Sequence, residues 1–230
     1  MEGIDLLAGP AKAQVEALTA AAMRGEVPLE EVYGRRLELI RPTRTQVESV
    51  GDAYVAALVP GAVEVVRGLH ARGIEVWIVS GGLWDPVLRV AQALGVPSAR
   101  VAAVQLRFHE DGRYAGFDPE QPLARAGGKP AVLAGWGSAL SSPALMVGDG
   151  VTDLEAGEVV EDFLAFAGVV DRPGVTGAAK LIVRAPSLEP VFSIAVGPPG
   201  PEAEGPGTGD LAALYERGLR LGWEDRRGVG

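Results

Sequence analysis

The spacing of apolar residues changes part-way along the chain. Before residue 59, apolar positions recur every three or four residues, which is a helical period. This period predicts three amphipathic helices, over residues 11–25, 27–40 and 43–58. After residue 59, short apolar runs alternate with helical segments, which is typical of a parallel sheet with helices packed against it.

The predicted strands are short runs rich in β-branched and other apolar residues. They cover residues 74–80, 144–150, 162–168 and 180–185. The first two runs lead directly into glycine-containing turns, and we predict that both are buried strands. The sequence therefore predicts an α/β fold, with an open parallel sheet and helices on both faces.

Two features interrupt that regular alternation. Residues 101–108 and 113–117 alternate in polarity on either side of Asp111-Gly112, which predicts a small β-hairpin. The first helical block contains no strand pattern and is predicted to be an inserted cap. The predicted organisation is a loop at 1–8, a helical cap at 9–58, an α/β core at 59–186 with the hairpin at 104–117, a Pro/Gly-rich linker at 187–209, and a C-terminal helix and tail at 210–230.

Composition narrows the possible chemistry. The net charge is −9 and the pI about 4.8, which disfavours nucleic acid or an anionic membrane surface as a partner. The chain has no cysteine, which excludes disulfides and thiolate chemistry, and only two histidines, which argues against a histidine metal cluster or a Ser–His triad. No apolar stretch is long enough to cross a bilayer. We expect a cytoplasmic protein with neither a nucleic-acid nor a membrane partner.

Two glycine-rich motifs suit a bound phosphate. Ser80-Gly81-Gly82 follows a predicted strand, where a hydroxyl and backbone N–H groups can donate to an anion. The structural alternative is a strand-to-helix turn that needs glycine. Lys129 follows two glycines at a predicted helix start, where the helix dipole disfavours a cation. An anion contact is one explanation of this lysine, and an ordinary surface position is the other.

A third motif suits a metal ion. The strand at 144–150 ends in Gly148-Asp149-Gly150, and Thr152 and Asp153 follow within one turn. Asp149 would lie at the carboxyl end of a parallel strand, where open α/β sheets bind ligands. Two nearby carboxylates repel each other unless a hard cation such as Mg²⁺ lies between them. A dinucleotide-binding turn does not fit, because Asp153 stands where the third glycine is needed. An aspartate-capped helix remains the structural alternative.

The order of these three motifs resembles the haloacid dehalogenase-like hydrolase superfamily. Longer segments are similar to the phosphoserine phosphatase family within it, over roughly residues 1–185. They are EGIDLLA, AMRGEVPLEEVYGRRLELI, VSGG, LRFHEDGRYAGFDPEQPLARAGGK and VGDGVTDLEA. The resemblance implies hydrolysis of a small phosphorylated amino acid, O-phospho-L-serine, with Mg²⁺ as cofactor, and serine biosynthesis as its setting. A homodimer is possible.

The resemblance also implies roles for particular residues. Substrate-binding positions would be Glu2, Met23, Arg36, Ser80, Gly81, Lys129 and Thr152. Glu2 would meet the substrate ammonium and Arg36 its carboxylate, and Met23 would line the cap. Ser80 and Lys129 would hold the phosphate during catalysis. Asp149 would bind Mg²⁺, and Asp153 would orient the residues around the metal.

One element of the family pattern is not found in the sequence. In the family, a buried strand before E-G-I-D ends in an Asp-x-Asp motif that supplies the nucleophile and the acid/base. We expect that the printed chain starts late by roughly 15–20 residues, and that this form is inactive and poorly soluble. The alternatives are a phosphatase of the same fold with another small substrate, and an inactive relative that binds a ligand.

Overall fold

The computed structural model describes residues 3–23, 29–198 and 208–227, and the chain forms two compact units. The first unit comprises Met1–Ala57 and Trp77–Val132, and the second comprises Leu58–Val76 and Leu133–Gly230. The helices are α1 (Gly3–Leu7), α2 (Lys12–Met23), α3 (Leu29–Ile40), α4 (Arg44–Ala56), α5 (Ala62–Ala71), α6 (Trp84–Leu94), α7 (Gly128–Trp136), α8 (Val151–Gly157), α9 (Pro173–Thr176), α10 (Glu189–Val196) and α11 (Thr208–Leu221). The strands are β1 (Ile78–Leu83), β2 (Val101–Val104), β3 (Leu106–Phe108), β4 (Tyr114–Phe117), β5 (Leu145–Gly148), β6 (Asp162–Phe166), β7 (Leu181–Val183) and β8 (Glu224–Asp225).

The first unit contains a parallel strand pair and a hairpin. β1 pairs with β2 in parallel, with Ile78 opposite Val101, and β3 pairs with β4 antiparallel. The hairpin prediction is confirmed, but the single run predicted at 101–108 is divided into two strands. Gln121 explains the division, because its side chain accepts from the Gln105 N–H at 2.7 Å and donates to the Gln105 carbonyl at 3.0 Å. These bonds take the backbone of Gln105 out of both ladders.

The predicted cap helices pack within this same unit. The buried side chains of one cluster come from α1, α3, α4, β1 and β4, and they are Leu7, Leu37, Val47, Val50, Leu83 and Tyr114. A capping box begins α4: the Gln46 N–H donates to Thr43 Oγ1, and the Thr43 N–H donates to Gln46 Oε1 at 2.8 Å. The structure has a boundary after Ala57, close to the predicted one at residue 58, but it groups the helical block with Trp77–Val132 and not as a separate cap. The reason is that the helical block shares a core with β1 and the hairpin.

The second unit contains a four-stranded sheet in the order β5-β6-β7-β8. β5, β6 and β7 are parallel, and Leu164 of β6 lies opposite Val147 on one side and Leu181 on the other. β8 is antiparallel to β7 and covers its outer edge. β6 and β7 form the buried centre, where Leu164, Leu181 and Ile182 are each 0% exposed.

The C-terminal region is more ordered than the predicted linker implies. Residues 189–196 lie inside the linker predicted at 187–209, yet they form α10, and Phe192 on this helix is 1% exposed. α10 packs against α5 and α11, since Val65, Leu69, Phe192, Leu214 and Tyr215 form one buried cluster. The linker prediction was therefore wrong for α10, because burial of an apolar face outweighed the nearby prolines and glycines. Helix α11 was predicted, whereas the two residues of β8 were not.

Two strands predicted to be buried are only half-buried. Every residue of β5 and all of β1 except Leu83 have intermediate exposure. Within the described residues, β1 has a ladder with β2 alone and β5 with β6 alone. Each strand therefore has one open edge, which explains the exposure. β1 also begins at Ile78 rather than at residue 74, where the apolar run starts.

The N-terminal segment also departs from its prediction. Residues 1–8 were expected to form a loop, but Gly3–Leu7 form helix α1, and Ile4 and Leu7 are buried. Packing against α3 and α4 stabilises this short helix, as Leu7 shares a cluster with Leu37 and Val50. Among the described residues, no helix is both long and apolar enough to cross a membrane.

Candidate active site

Ser80 lies inside β1 rather than beyond its end. The pairing of β1 with β2 shifts between Val79 and Leu83, so Ser80, Gly81 and Gly82 bulge out of the regular ladder. Ser80 Oγ accepts from the Gly82 N–H at 3.0 Å. The hydroxyl proton is not used in that bond and can donate to an anion. The bulge gives the predicted phosphate motif its local shape.

A 3-10 turn at Pro122–Ala124 connects this bulge with the start of α7. The carbonyl oxygen of Leu123 lies 3.4 Å from the place where a Cβ on Gly81 would be. Gly128, the first residue of α7, approaches the same turn so closely that a Cβ would overlap the Pro122 carbonyl. Only glycine allows this approach. The predicted motifs at residues 80–82 and 127–129 therefore both contact the same 3-10 turn.

Lys129 is the second residue of α7 and is half-buried. The dipole of α7 opposes its charge, as the sequence suggested. Arg36, on α3, is 8% exposed, so its charge is buried and not solvated at the surface. Its neighbour Leu37 packs with Leu83 at the end of β1. The first unit thus brings the elements that carry Arg36, Ser80, Gly81 and Lys129 into one packed region.

The side chains of two predicted substrate residues, Glu2 and Met23, are not among those that the structure describes. Glu2 lies outside the described residues. Met23 is the last residue of α2, and its side chain is outside the description as well. Their predicted contacts with a substrate stay predictions.

The second unit contains the other three predicted residues. Asp149 follows β5, and Thr152 and Asp153 lie in the first turn of α8, with Thr152 exposed. Asp153 is 7% exposed, and its carboxylate accepts from the Gly150 N–H at 2.9 Å. A Cβ on Gly148 would overlap that carboxylate. Asp153 therefore fixes the loop that carries Asp149, and its role around a metal stays a prediction.

Asp149 forms an ion pair with Arg172, a residue that the sequence analysis did not identify. Arg172 Nη1 donates to Asp149 Oδ2 and lies 3.5 Å from the Asp149 carbonyl oxygen. Arg172 precedes α9, in the segment that follows β6. Because β5 and β6 are parallel neighbours, the segments that follow them both start at the carboxyl ends of the strands, on the same side of the sheet. This position was the only signal in the sequence that could have identified Arg172.

The donor set of this loop suits part of a magnesium site. Asp149 offers a hard carboxylate oxygen, and its side chain is 45% exposed. No group of three or more Asp, Glu, His or Cys side chains in the described part of the chain could hold a metal ion. Mg²⁺ commonly binds through one or two carboxylates together with water and substrate oxygens. The residues present fit such an ion.

Comparison with known proteins identifies the family. A sequence model of the haloacid dehalogenase-like hydrolases matches residues 2–160. Phosphoserine phosphatase from Rattus norvegicus is 38% identical over 182 residues, which covers 78% of this chain and 81% of the rat protein. This chain belongs to the phosphoserine phosphatase family.

Solved structures share the fold. A phosphoserine phosphohydrolase-like protein from Francisella tularensis superposes with a TM-score of 0.70 at 22% identity, over 86% of this chain and 93% of the other. A substrate-bound phosphoserine phosphatase gives 0.66 at 22% identity, over 84% and 90%. The α/β fold predicted from the sequence is confirmed as that of the haloacid dehalogenase-like phosphoserine phosphatases. Within it, the described residues form a parallel strand pair, an antiparallel hairpin and a mixed four-stranded sheet.

Proposed function

We propose that this member of the phosphoserine phosphatase family hydrolyses O-phospho-L-serine to L-serine and phosphate with Mg²⁺ as cofactor, as a step that supplies serine for biosynthesis. The observation that carries the proposal is the burial of Arg36 on α3, whose Leu37 belongs to the same buried cluster as Leu83 of β1, the strand that contains Ser80. A buried guanidinium in the same compact unit as a phosphate motif suits a substrate with both a carboxylate and a phosphate.

The phosphate end of the substrate would meet the bulge of β1 and the start of α7. Ser80 can donate its hydroxyl proton, Gly81 can donate a backbone N–H, and Lys129 adds a positive charge. The chain as a whole carries a charge of −9, so a phosphate needs such local donors. The family resemblance also assigns a phosphate contact to Thr152.

The amino-acid end needs an acid and a base. Arg36 can hold a carboxylate through two parallel N–H···O bonds, which is the strongest geometry for this pair. Glu2 is proposed to pair with the ammonium group, and Met23 to line the cap. Specificity for phosphoserine over other phosphomonoesters would then depend mainly on Arg36.

Asp149 is proposed as the residue that holds Mg²⁺, with Asp153 keeping its loop in place. When bound, the ion supplies positive charge that stabilises the charge developing on the transferred phosphoryl group. Asp149→Asn should weaken metal binding, since the amide keeps an oxygen but loses the negative charge.

The hydrolytic step itself needs a carboxylate nucleophile. The family resemblance assigns this role to the first aspartate of an Asp-x-Asp motif, which the 230 residues do not contain. Turnover is therefore not the readout of the test. Ligand binding needs no nucleophile and can be measured on this chain directly.

The test compares two ligands that differ by one carboxylate. O-phospho-L-serine and O-phosphoethanolamine share the phosphate and the ammonium, so calorimetric titration of both isolates the contribution of Arg36. We expect the phosphoserine preference to be lost in Arg36→Gln, at a cost on the order of 2–4 kcal/mol for a desolvated bidentate contact.

The control for this test lies on the same helix. Arg35 is exposed and pairs with Glu31 at 2.5 Å, so Arg35→Gln removes the same charge and should keep the preference. Equal binding of the two ligands by the unmodified chain would contradict the proposal. Equal losses for both ligands in Arg36→Gln would make Arg36 a structural residue.

A further inference from the structure

The carboxylate of Asp149 is bonded to a cation of this chain. We propose that Arg172 competes with Mg²⁺ for Asp149, so that the guanidinium must release the carboxylate before the metal binds. This inference rests on the proposed function, which makes Asp149 the metal ligand. The inference adds Arg172 to that function, as a residue that lowers the affinity of the site for Mg²⁺.

The sheet of the second unit brings the two residues together. Gly148, at the end of β5, lies opposite Ala165 of β6, so the segments that follow the two strands start close together at the carboxyl end of the sheet. Arg172 reaches back from the segment after β6 and donates through Nη1 to Asp149 Oδ2. The pairing of β5 with β6 therefore places Arg172 near Asp149.

The backbone beside Arg172 is held by bonds that do not involve Asp149. Asp171 accepts from Thr176 Oγ1 at 2.9 Å and from Arg184. The Arg172 carbonyl accepts from the N–H groups of Val175 at 2.8 Å and Thr176 at 2.9 Å. These bonds would keep Arg172 close to the site after it releases the carboxylate. Arg172 would then compete with the metal at every binding event.

Two physical effects oppose simultaneous binding. Mg²⁺ requires carboxylate oxygens at about 2.0–2.1 Å in near-octahedral geometry, and Oδ2 already accepts from the guanidinium. The positive charge of Arg172 also repels a divalent cation. Since the two side chains are 48% and 45% exposed, solvent weakens both effects. We expect removal of Arg172 to tighten Mg²⁺ binding by about three- to tenfold at low ionic strength, and by less in high salt.

The experiment measures metal binding without turnover. Free Mn²⁺ is quantified by electron paramagnetic resonance during titration of the 230-residue chain, and Mg²⁺ is then added as competitor. The variants are Arg172→Gln, Asp149→Asn and the double variant. Arg217→Gln is the charge-matched control, because Arg217 is 41% exposed and pairs with Glu189 on α10. Circular dichroism verifies that each variant is folded.

The outcomes separate this inference from the proposed function. Tighter Mg²⁺ binding in Arg172→Gln but not in Arg217→Gln supports competition, provided that Asp149→Asn removes both the binding and the effect of Arg172→Gln. Unchanged or weaker binding in Arg172→Gln overturns the inference while leaving Asp149 as a ligand. If Asp149→Asn binds as the unmodified chain does, the metal assignment fails, and the inference fails with it. Should the unmodified chain bind too weakly to measure, measurable binding in Arg172→Gln supports the inference, and its absence overturns it.

Discussion

Burial gives Tyr114 an unusual environment for a tyrosine. Its side chain is 3% exposed in the cluster formed by α3, α4 and β1, and within the described residues its hydroxyl has no hydrogen-bond partner. Burial and, to a lesser extent, the negative charge of Glu38 raise the pKa of Tyr114 to about 12, against the opposing effect of Arg41 and Arg107. The folded protein therefore favours the neutral phenol.

This environment predicts a dependence of stability on alkaline pH. The unfolded chain loses its Tyr114 proton near pH 10, before the folded protein does near pH 12. The contribution of Tyr114 to the free energy of unfolding should thus be fully present below pH 10. It should be lost progressively between pH 10 and 12. We expect urea denaturation of Tyr114→Phe to show a shallower fall over this range.

At neutral pH, Tyr114→Phe should be as stable as the unmodified chain, or more stable by on the order of 1 kcal/mol, because it removes a buried hydroxyl without a partner. Tyr215→Phe, at a buried tyrosine of the second unit, controls for the loss of one phenol. Identical pH profiles for the unmodified chain and Tyr114→Phe would show that Tyr114 ionises equally in both states.

At the scale of single elements, α11 is packed more tightly than a surface helix. Ser193 on α10 donates its hydroxyl proton to the Tyr215 carbonyl at 2.8 Å. A Cβ on Gly218 would overlap both Ser193 Oγ and the Glu189 carbonyl oxygen. Glycine at this position lets the two helices approach each other at that point.

Two alanine substitutions in α11 test this approach. Gly218→Ala should destabilise the protein by about 1–3 kcal/mol through overpacking. Gly209→Ala has nothing within 4 Å of its new Cβ and should be neutral or stabilising by up to about 1 kcal/mol, since alanine favours helix. Thermal unfolding of both variants gives the comparison. A similar stability for the two would contradict the close packing of α10 and α11.

The elements also show where sequence reasoning works and where it stops. The hairpin at Asp111-Gly112 and the helix after Thr43 were predictable, because the local turn and capping residues determine them. β8 was not predictable, since two acidic residues have no strand propensity and Glu224 is held by Arg184 and Arg226. The bulge at Ser80 and the Arg172 contact depend on pairing with segments distant in the sequence. Local patterns contain no information about such pairing.

At the scale of the whole molecule, the sheets differ in how completely their strands are paired. β6 lies between β5 and β7, whereas β5 has one described neighbour and β1 has one. Successive N–H groups of a strand point to opposite sides, so a strand with one neighbour leaves half of them outside a ladder. Open edges of this kind also favour association between chains.

Hydrogen exchange should detect this difference directly. We expect the amides of β6 to exchange more slowly than those of β5, and those of β1 to resemble β5, in exchange followed by mass spectrometry. β7 serves as the internal control, because it has β6 on one side and β8 on the other. Equal protection of β5 and β6 would mean that another segment covers the edge of β5.

The docking of α11 has a practical consequence for producing this protein. The family match ends at residue 160, and a Pro/Gly-rich stretch near residue 200 looks like a natural place to stop. A version shortened there would lose Leu214 and Tyr215 and expose Phe192 to water, and it would remove β8 from the edge of β7. Expression boundaries therefore belong beyond residue 227, and a C-terminal affinity tag needs a spacer so that it does not disturb β8.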